Sequence, residues 1–392
     1  MINVLWLVSW YPSRIDNFTG DFIERHARSV SKYVQLTVLV ILKDETLGFN
    51  EVQIEKTVDI NINVYRVYYG KTKMPLWLES ILSIRKYFQL QKKIYRLIKN
   101  DIGKPDILHV HVAMKAGILA LFLKMRYRIP FVVTENWTGY YPHSKPSIYD
   151  NNFVFKKLNK AILQKSDMFL PVSKDLGQTV NKYFAKVNYQ VVPNVVDTKL
   201  FFYNNDLKLS KFRFIHPSLM NYQKNAEGIL QACVTLKARG YDFELLMVGN
   251  EDEKLKNFAE QNDLLNDTVF FLPAVSYVTV AQHMQQSSAL VLFSRFENLP
   301  CVVLEALCCG LPVISSRVGG VPEVVNETNG ILVNSENIDQ LVNAMQAMID
   351  NYVLYDKMSI AKKATDEFNY NTIGSQYSAI YKTILSNSNT YL

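Results

Sequence analysis

Short apolar strands alternate with helical segments along nearly the whole chain, and this alternation restricts the fold more than any other feature. Asn3–Val8 is a short apolar strand, Ser9–Gly20 a loop holding Pro12 and Gly20, Asp21–Lys32 has helical spacing, and Val34–Leu42 is a second strand. The unit returns as Ile107–Val112, Ala116–Arg126 and Phe131–Thr134, and again as Phe212–His216, Ala226–Arg239 and Phe243–Val248. It runs on through strand Val269–Leu272, helix Thr279–Gln286, strand Ala289–Phe293, helix Cys301–Cys309 and strand Pro312–Ser315. Apolar strands without alternation, joined by helices, belong to parallel sheets covered on both faces. The series breaks between Val192 and Phe212, so a chain of 392 residues is expected to form two doubly wound α/β domains. Residues 1–190 form the first and residues 191–371 the second, joined by the polar, asparagine-rich stretch Pro193–Ser210. Ligands of such sheets bind beyond the carboxyl ends of the strands, which predicts a site in a cleft between two facing sheets.

Composition narrows the function classes. With 48% hydrophobic and 20% charged residues, the chain is neither disordered nor a coiled coil. No apolar run reaches the ~18 residues of a spanning helix, and MINVLWLVSWYPS has no basic n-region or cleavage site, so no signal peptide is expected. Cys233, Cys301, Cys308 and Cys309 have neither metal-ligand nor disulfide-framework spacing, which predicts a reduced, cytoplasmic setting. Charge is uneven. Residues 1–190 carry 28 Lys+Arg against 15 Asp+Glu, and residues 191–392 carry 15 against 21. A basic half suggests an anionic partner. Its bases concentrate within residues 71–104, where Pro75–Lys99 reads as a helix rich in bases and aromatics. Such a helix lies on an anionic membrane surface, or packs one face on its own core with its bases in water; the sequence leaves both open. No nucleic-acid motif accompanies the charge, so no nucleic-acid partner is expected.

The richest stretch is Ser294–Gly330, SRFENLPCVVLEALCCGLPVISSRVGGVPEVVNETNG. Glu297 falls in a loop after a strand and Glu305 inside the following helix. Pro300 has no N–H, so the backbones of Cys301 and Val302 are the donors at that helix end. A helix end of this kind can hold a diphosphate while the carboxylates accept hydrogen bonds from sugar hydroxyls. Taken alone, two glutamates at this spacing are common on any helix-containing surface, and an exposed surface is the default reading.

With its surroundings the stretch resembles the signature of the retaining glycosyltransferases of family 4, which have the GT-B fold. The E-x7-E pattern matches Glu297 and Glu305; EA-x-x-x-G-x-PV matches Glu305, Ala306, Gly310, Pro312 and Val313; GG-x-PE-x-V matches Gly319, Gly320, Pro322, Glu323 and Val325, with NG at Asn329 and Gly330. VVPNVVDTKLF, KSDMFLPVS, LMVGNEDEKL and FTGDFIERHARSVSK resemble further family segments, in the family's order. The resemblance implies that Glu305 binds the ribose of a nucleotide sugar, Glu297 the transferred sugar, and Lys224 the diphosphate. It implies donor contacts at Gly20, Gly249, Asn298, Leu299, Cys301 and Val302. It also implies that a C-terminal helix, about residues 372–392, packs back on the first domain. The chemistry implied is transfer of a sugar, of hexosyltransferase type, to a saccharide or lipid-linked acceptor in cell-surface polysaccharide or glycoconjugate synthesis, on the cytoplasmic side or on the inner face of the membrane. No cofactor is implied beyond the nucleotide sugar. The absence of a strand-end DxD pair fits a metal-independent enzyme. The second domain would bind the donor and the first the acceptor.

Two departures stand out. Where the family commonly has an arginine at a strand end, this chain has about Ser218, leaving Lys224 alone or with Arg295. Where many members have a histidine after a strand, FVVTENWTGYY places Asn136, which can hydrogen-bond but cannot be protonated. Asn136 is carried over as the first-domain catalytic position. Its neighbours Glu135 and Trp137, with His26 on the first helix, are candidate acceptor contacts, and Glu135 is also the one candidate nucleophile for a double displacement. For His26 the alternative is a solvated helix face. His109 and His111 point the same way from one strand and are expected to pack there, since no third metal ligand is visible. Two rival functions follow from the departures: a GT-B isomerase of nucleotide sugars, and a non-catalytic binding subunit.

Overall fold

The computed structural model describes residues 1–48, 51–59, 61–70, 76–205, 210–250 and 252–389. The chain divides into two units, Met1–Pro193 with Tyr370–Leu392, and Asn194–Asn369.

The first unit contains β1 (Asn3–Val8), α1 (Asp21–Val30), β2 (Gln35–Lys43), β3 (Val52–Asp59), β4 (Ile62–Tyr69), α2 (Leu76–Ile102), β5 (Ile107–His111), α3 (Gly117–Tyr127), β6 (Phe131–Glu135), α4 (Phe153–Lys165), β7 (Met168–Pro171) and α5 (Lys174–Tyr183). Its strands run in the order β3-β4-β2-β1-β5-β6-β7. All neighbours are parallel except β3 and β4, a hairpin at the sheet edge that the alternation of strand and helix did not predict. The central strands β1, β5 and β6 are buried along nearly their whole length, as their unbroken apolar runs require. Gly20 turns the chain into α1 at φ +82°, and a Cβ there would stand 2.4 Å from the carbonyl carbon of Trp10. Only glycine fits that turn.

Helix α2 buries Tyr87, Leu90, Ile94, Tyr95 and Ile98 and exposes Arg85, Lys93, Arg96 and Lys99. This is the arrangement of a surface helix with one face on its core. Lys71 and Lys73 lie outside the described residues.

The second unit contains β8 (Arg213–Ser218), α6 (Ala226–Ala238), β9 (Glu244–Gly249), α7 (Glu253–Gln261), β10 (Val269–Leu272), α8 (Tyr277–Gln285), β11 (Ala289–Leu292), α9 (Cys301–Cys308), β12 (Val313–Ser316), α10 (Val321–Val324), β13 (Gly330–Val333), α11 (Ile338–Asp350) and α12 (Lys357–Phe368). The order is β10-β9-β8-β11-β12-β13, parallel throughout. The chain winds outward from β8 through β9 and β10, then crosses back to lay β11 on the other side of β8. The strand order therefore reverses between β8 and β11, and the same reversal occurs in the first unit between β1 and β5. Ligands of open α/β sheets bind at such points.

The last helix, α13 (Tyr370–Asn389), returns to the first unit and packs on α1. Tyr377 and Tyr381 project from one face of α13, four residues apart, into a buried group of rings. Trp6 Nε1 donates to the Tyr381 hydroxyl at 3.2 Å, and that hydroxyl lies 2.5 Å from His109 Nδ1. His109 Nε2 lies 2.8 Å from the Thr134 hydroxyl, which is 3.3 Å from that of Tyr377. One proton arrangement satisfies the chain: Tyr381 accepts from Trp6 and donates to Nδ1 of a neutral His109. Burial holds His109 and His111 well below the ordinary imidazole value, and the neighbouring histidines push the same way.

Two outcomes follow. Tyr381→Phe strands two buried donor–acceptor positions and is expected to cost about 1–3 kcal/mol in urea unfolding. Because the two histidines stay neutral in the folded state but protonate in the unfolded state below pH ~6.5, their contribution is complete above that value and lost as pH falls. Urea midpoints between pH 8 and 5 test this, and His111→Gln should lessen the decline.

Candidate active site

Two loops beyond the carboxyl ends of β8 and β11 meet at the strand reversal of the second unit. The first holds a 3₁₀ turn, Tyr222–Lys224, capped by Asn221, whose side chain accepts from the Lys224 N–H at 3.3 Å. The second carries Glu297. Lys224 Nζ and Glu297 Oε1 are 2.5 Å apart, with side chains 16% and 5% exposed. Ser294 Oγ donates to the same carboxylate oxygen at 2.8 Å, and Gln223 Nε2 donates to the other at 3.2 Å and to the Phe296 carbonyl at 2.9 Å. A buried carboxylate is tolerable only with such partners.

The backbone of residues 297–299 is clamped from two further directions. Gly320 N–H donates to the Asn298 carbonyl at 2.7 Å, and Asn194 Nδ2 to the Leu299 carbonyl at 2.7 Å. A Cβ on Gly319 would lie 2.0 Å from the Glu297 carbonyl oxygen, so the loop depends on a glycine there. Helix α9 then begins at Cys301 after Pro300. The Cys301 and Val302 N–H groups precede its first intrahelical bonds, beside Glu297 in sequence. Gly249 ends β9 opposite Ser218.

Glu305, one turn into α9, is buried, and Tyr277 donates its hydroxyl to Glu305 Oε1 at 2.8 Å. The spacing of Glu297 and Glu305 predicted neither partner set. Gln223 and Ser294 flank Lys224 and Glu297 in sequence, whereas Tyr277 lies on another helix. The arginine-like role left open for Arg295 meets a competing arrangement. Its guanidinium stacks on Tyr222 at 4.3 Å, donates to the Tyr222 carbonyl at 2.6 Å and pairs with Glu336 at 2.9 Å.

Ser218, at the end of β8, faces inward. Its Oγ lies 2.8 Å from His216 Nε2 and accepts from the Met220 N–H at 3.0 Å. His216 Nδ1 donates to the Val291 carbonyl of β11 at 2.8 Å, which sets the tautomer. Burial, and secondarily the Lys224 charge, lower the His216 pKa to about 4. The imidazole is therefore a neutral tie between the two strands that present Lys224 and Glu297.

In the first unit Glu135 ends β6 and is fully buried. Its oxygens accept from the N–H groups of Ala113 (3.1 Å), Asn136 (3.1 Å) and Trp137 (3.0 Å), and from Tyr140 (3.4 Å). Burial pushes its pKa up to about 7 against the pull of these donors. A carboxylate so enclosed joins the loops after β5 and β6, and this geometry argues against Glu135 as a nucleophile. Asn136 is half-buried, and Trp137 is nearly buried with its ring edge-on to Tyr140 at 5.7 Å. His26 is not on a solvated face: it is fully buried, 5.6 Å from the Tyr377 ring and 6.4 Å from that of His111. Ile23, His26, Ala27 and Val30 of α1 lie on the buried face, with Ser29 and the Asp21-paired Arg25 buried beside them, and the two arginines of the sequence disguise it. Among the described residues no group of three His, Cys, Asp or Glu could hold a metal ion, and no helix is long and apolar enough to cross a membrane.

Comparison with known proteins agrees with the fold. Residues 36–200 match the family described as Glycosyltransferase Family 4, and residues 199–365 match Glycosyl transferases group 1. N-acetyl-alpha-D-glucosaminyl L-malate synthase of Bacillus anthracis is 28% identical over 296 residues, 71% of this chain and 75% of that protein. The putative teichuronic acid biosynthesis glycosyltransferase TuaC of Bacillus subtilis is 22% identical over 401 residues, 96% of this chain and 95% of that protein. Among solved structures, Anabaena HepE in complex with UDP has a TM-score of 0.72 at 16% identity, covering 97% of this chain and all of that one. With the two family matches meeting at residues 199–200 and two parallel α/β units behind them, the chain belongs to the family 4 glycosyltransferases of the GT-B fold.

Proposed function

We propose that this glycosyltransferase moves a hexose from a nucleotide diphosphate sugar to a saccharide or lipid-linked acceptor, with retention of configuration and without a metal, in cell-surface polysaccharide or glycoconjugate synthesis. The observation that carries the reading is the meeting of Lys224 and Glu297 at the strand reversal of the second unit. On this reading Lys224 exchanges its partner for the diphosphate, and its charge stabilises the leaving group as negative charge develops. Glu297, released from Lys224, accepts hydrogen bonds from the transferred sugar. Glu305 binds the ribose, and the Cys301 and Val302 N–H groups meet the phosphates. Asn298 and Leu299 shape the loop between them, and Gly249 lines its edge.

The first unit takes the acceptor, with Asn136 and Trp137 as its contacts. Glu135 supports their loop. The leaving diphosphate oxygen takes the acceptor proton, since the enclosed Glu135 is a poor nucleophile. Support for a saccharide acceptor comes from TuaC, whose name assigns it to teichuronic acid biosynthesis, and support for a nucleotide donor comes from HepE, solved with UDP. The basic face of α2 fits an enzyme working at the cytoplasmic membrane surface.

The first test is release of nucleoside diphosphate from a panel of UDP-, GDP- and ADP-sugars. Release from one donor, equal with and without EDTA, is expected; release that needs a divalent ion refutes metal independence. Glu297→Gln and Lys224→Ala should each lower transfer about 10²–10³-fold. Full activity in Glu297→Gln would remove the role assigned to that carboxylate. NMR of the product should show the donor's anomeric configuration.

A second outcome concerns the membrane. Sedimentation with phosphatidylcholine vesicles should leave the protein in solution, and vesicles containing phosphatidylglycerol should carry it down at low salt only. Equal sedimentation with both lipids would sink the electrostatic argument.

A further inference from the structure

Glu305 sits on α9 with its side chain packed against the rest of the second unit, and the hydrogen bond it accepts from Tyr277 crosses from one helix to another. Tyr277 is the first residue of α8, and Ser276 caps that helix, its hydroxyl accepting from the Thr279 N–H at 3.2 Å. The Tyr277 ring lies 4.7 Å from that of Phe201, which is fully buried. Phe201 is held in turn, since its N–H and that of Leu200 both donate to the Asp197 carbonyl, and Gln285 Nε2 donates to the Leu200 carbonyl at 2.9 Å. The phenol is therefore fixed at its base by a capped helix and along its ring by a buried aromatic. Its hydroxyl reaches Glu305 from a defined direction, and a hydrogen bond to a charged acceptor orients as well as stabilises it.

We infer that Tyr277 is a positioning residue that sets the plane of the Glu305 carboxylate and thereby the enzyme's preference for a ribose over a deoxyribose donor. The inference rests on the donor reading above, in which Glu305 accepts from ribose hydroxyls. A carboxylate that can swing meets a ribose hydroxyl in only part of its orientations. One tied at Oε1 presents its acceptor lone pairs in a single geometry, so a ligand lacking the hydroxyl forfeits a fixed, prepaid contact.

The test measures binding, so it needs neither the acceptor nor the transferred sugar. UDP, GDP and ADP and their 2′-deoxy and 3′-deoxy counterparts are titrated calorimetrically into the full chain. For the nucleotide that binds, the wild type is expected to prefer one ribose form over its deoxy counterpart by on the order of tenfold or more. In Tyr277→Phe the ribonucleotide should weaken on the order of tenfold while the deoxynucleotide stays within about twofold, so the preference collapses. Glu305→Gln should show the same collapse, and adding Tyr277→Phe to it should change the ratio no further.

If Tyr277 merely braces the fold, both nucleotides weaken together and the ratio survives. That result overturns the inference and leaves the donor site standing. A wild type that binds a nucleotide without ribose preference overturns both the inference and the role of Glu305. A wild type that binds no nucleotide overturns the donor reading itself. Thermal unfolding of Tyr277→Phe within a few degrees of wild type guards against a trivial loss of structure, and a collapsed ratio in Glu305→Gln alone would count against Tyr277.

Discussion

The ion pair between Lys224 and Glu297 exists because β11 crosses back to lie beside β8. The two residues are 73 apart in sequence, and each stands on a loop that leaves the sheet at the point where strand order reverses. Removing a carboxylate from water costs several kcal/mol, and Glu297 recovers this through Lys224, Ser294 and Gln223. These partners come from the same two loops. The strand order, the burial of Glu297 and the position of the cation are thus one constraint: a sheet wound in a different order would leave a buried charge with no counterion. On the proposed donor reading, the same pairing holds the lysine in place before an incoming diphosphate arrives. Preorganisation of this kind lowers the reorganisation needed as charge develops on a leaving group.

The first unit repeats the winding and uses the strand ends differently. Its buried polar groups in β5 and at the end of β6 are neutral or enclosed: His109, in the middle of β5, is bonded on both ring nitrogens, and Glu135, at the end of β6, accepts three backbone N–H groups and a phenol. These contacts fix loops and tie α13 to the sheet. The unit's excess of positive charge lies on its surface, where Arg85, Lys93, Arg96 and Lys99 line the outer face of α2. Charge that acts over distance belongs on such a surface, where a partner meets it before docking. Buried polar groups act only at contact and need exact hydrogen-bond partners.

Much of this was legible in the sequence. Unbroken apolar strands required a sheet covered on both faces, and the glycine that opens α1 at Gly20 was read as a place of close backbone approach. The hairpin of β3 and β4 was not legible, because VQIEKTVD is an exposed edge strand that mixes charged and apolar residues and lacks the unbroken apolar run of the central strands. His26 was misread because two arginines flank it, although the spacing of Ile23, Ala27 and Val30 places it on the inner stripe. The partners of the site residues form a third class. His216 and Val291 are 75 residues apart, and Tyr277 and Glu305 are 28 apart on different helices. Such pairs depend on the register of two strands and the packing of two helices, and no local pattern encodes either.

Ser218 shows how one substitution changes the electrostatics of such a site. An arginine at this strand end would place a second cation near Lys224. Here the position instead completes a neutral chain from the Val291 carbonyl through His216 to the Met220 N–H. Arg295 does not simply replace the missing charge, because Glu336 pairs with it and Tyr222 holds both its face and one of its nitrogens. On the donor reading proposed above, the cation that meets the diphosphate is Lys224, assisted by the partial positive charge at the start of α9. With one full charge in place of two, stabilisation of the leaving group depends more steeply on where that charge sits. His216 and Ser218 govern this, since they hold the start of the loop that carries Lys224 to the strand that leads to Glu297.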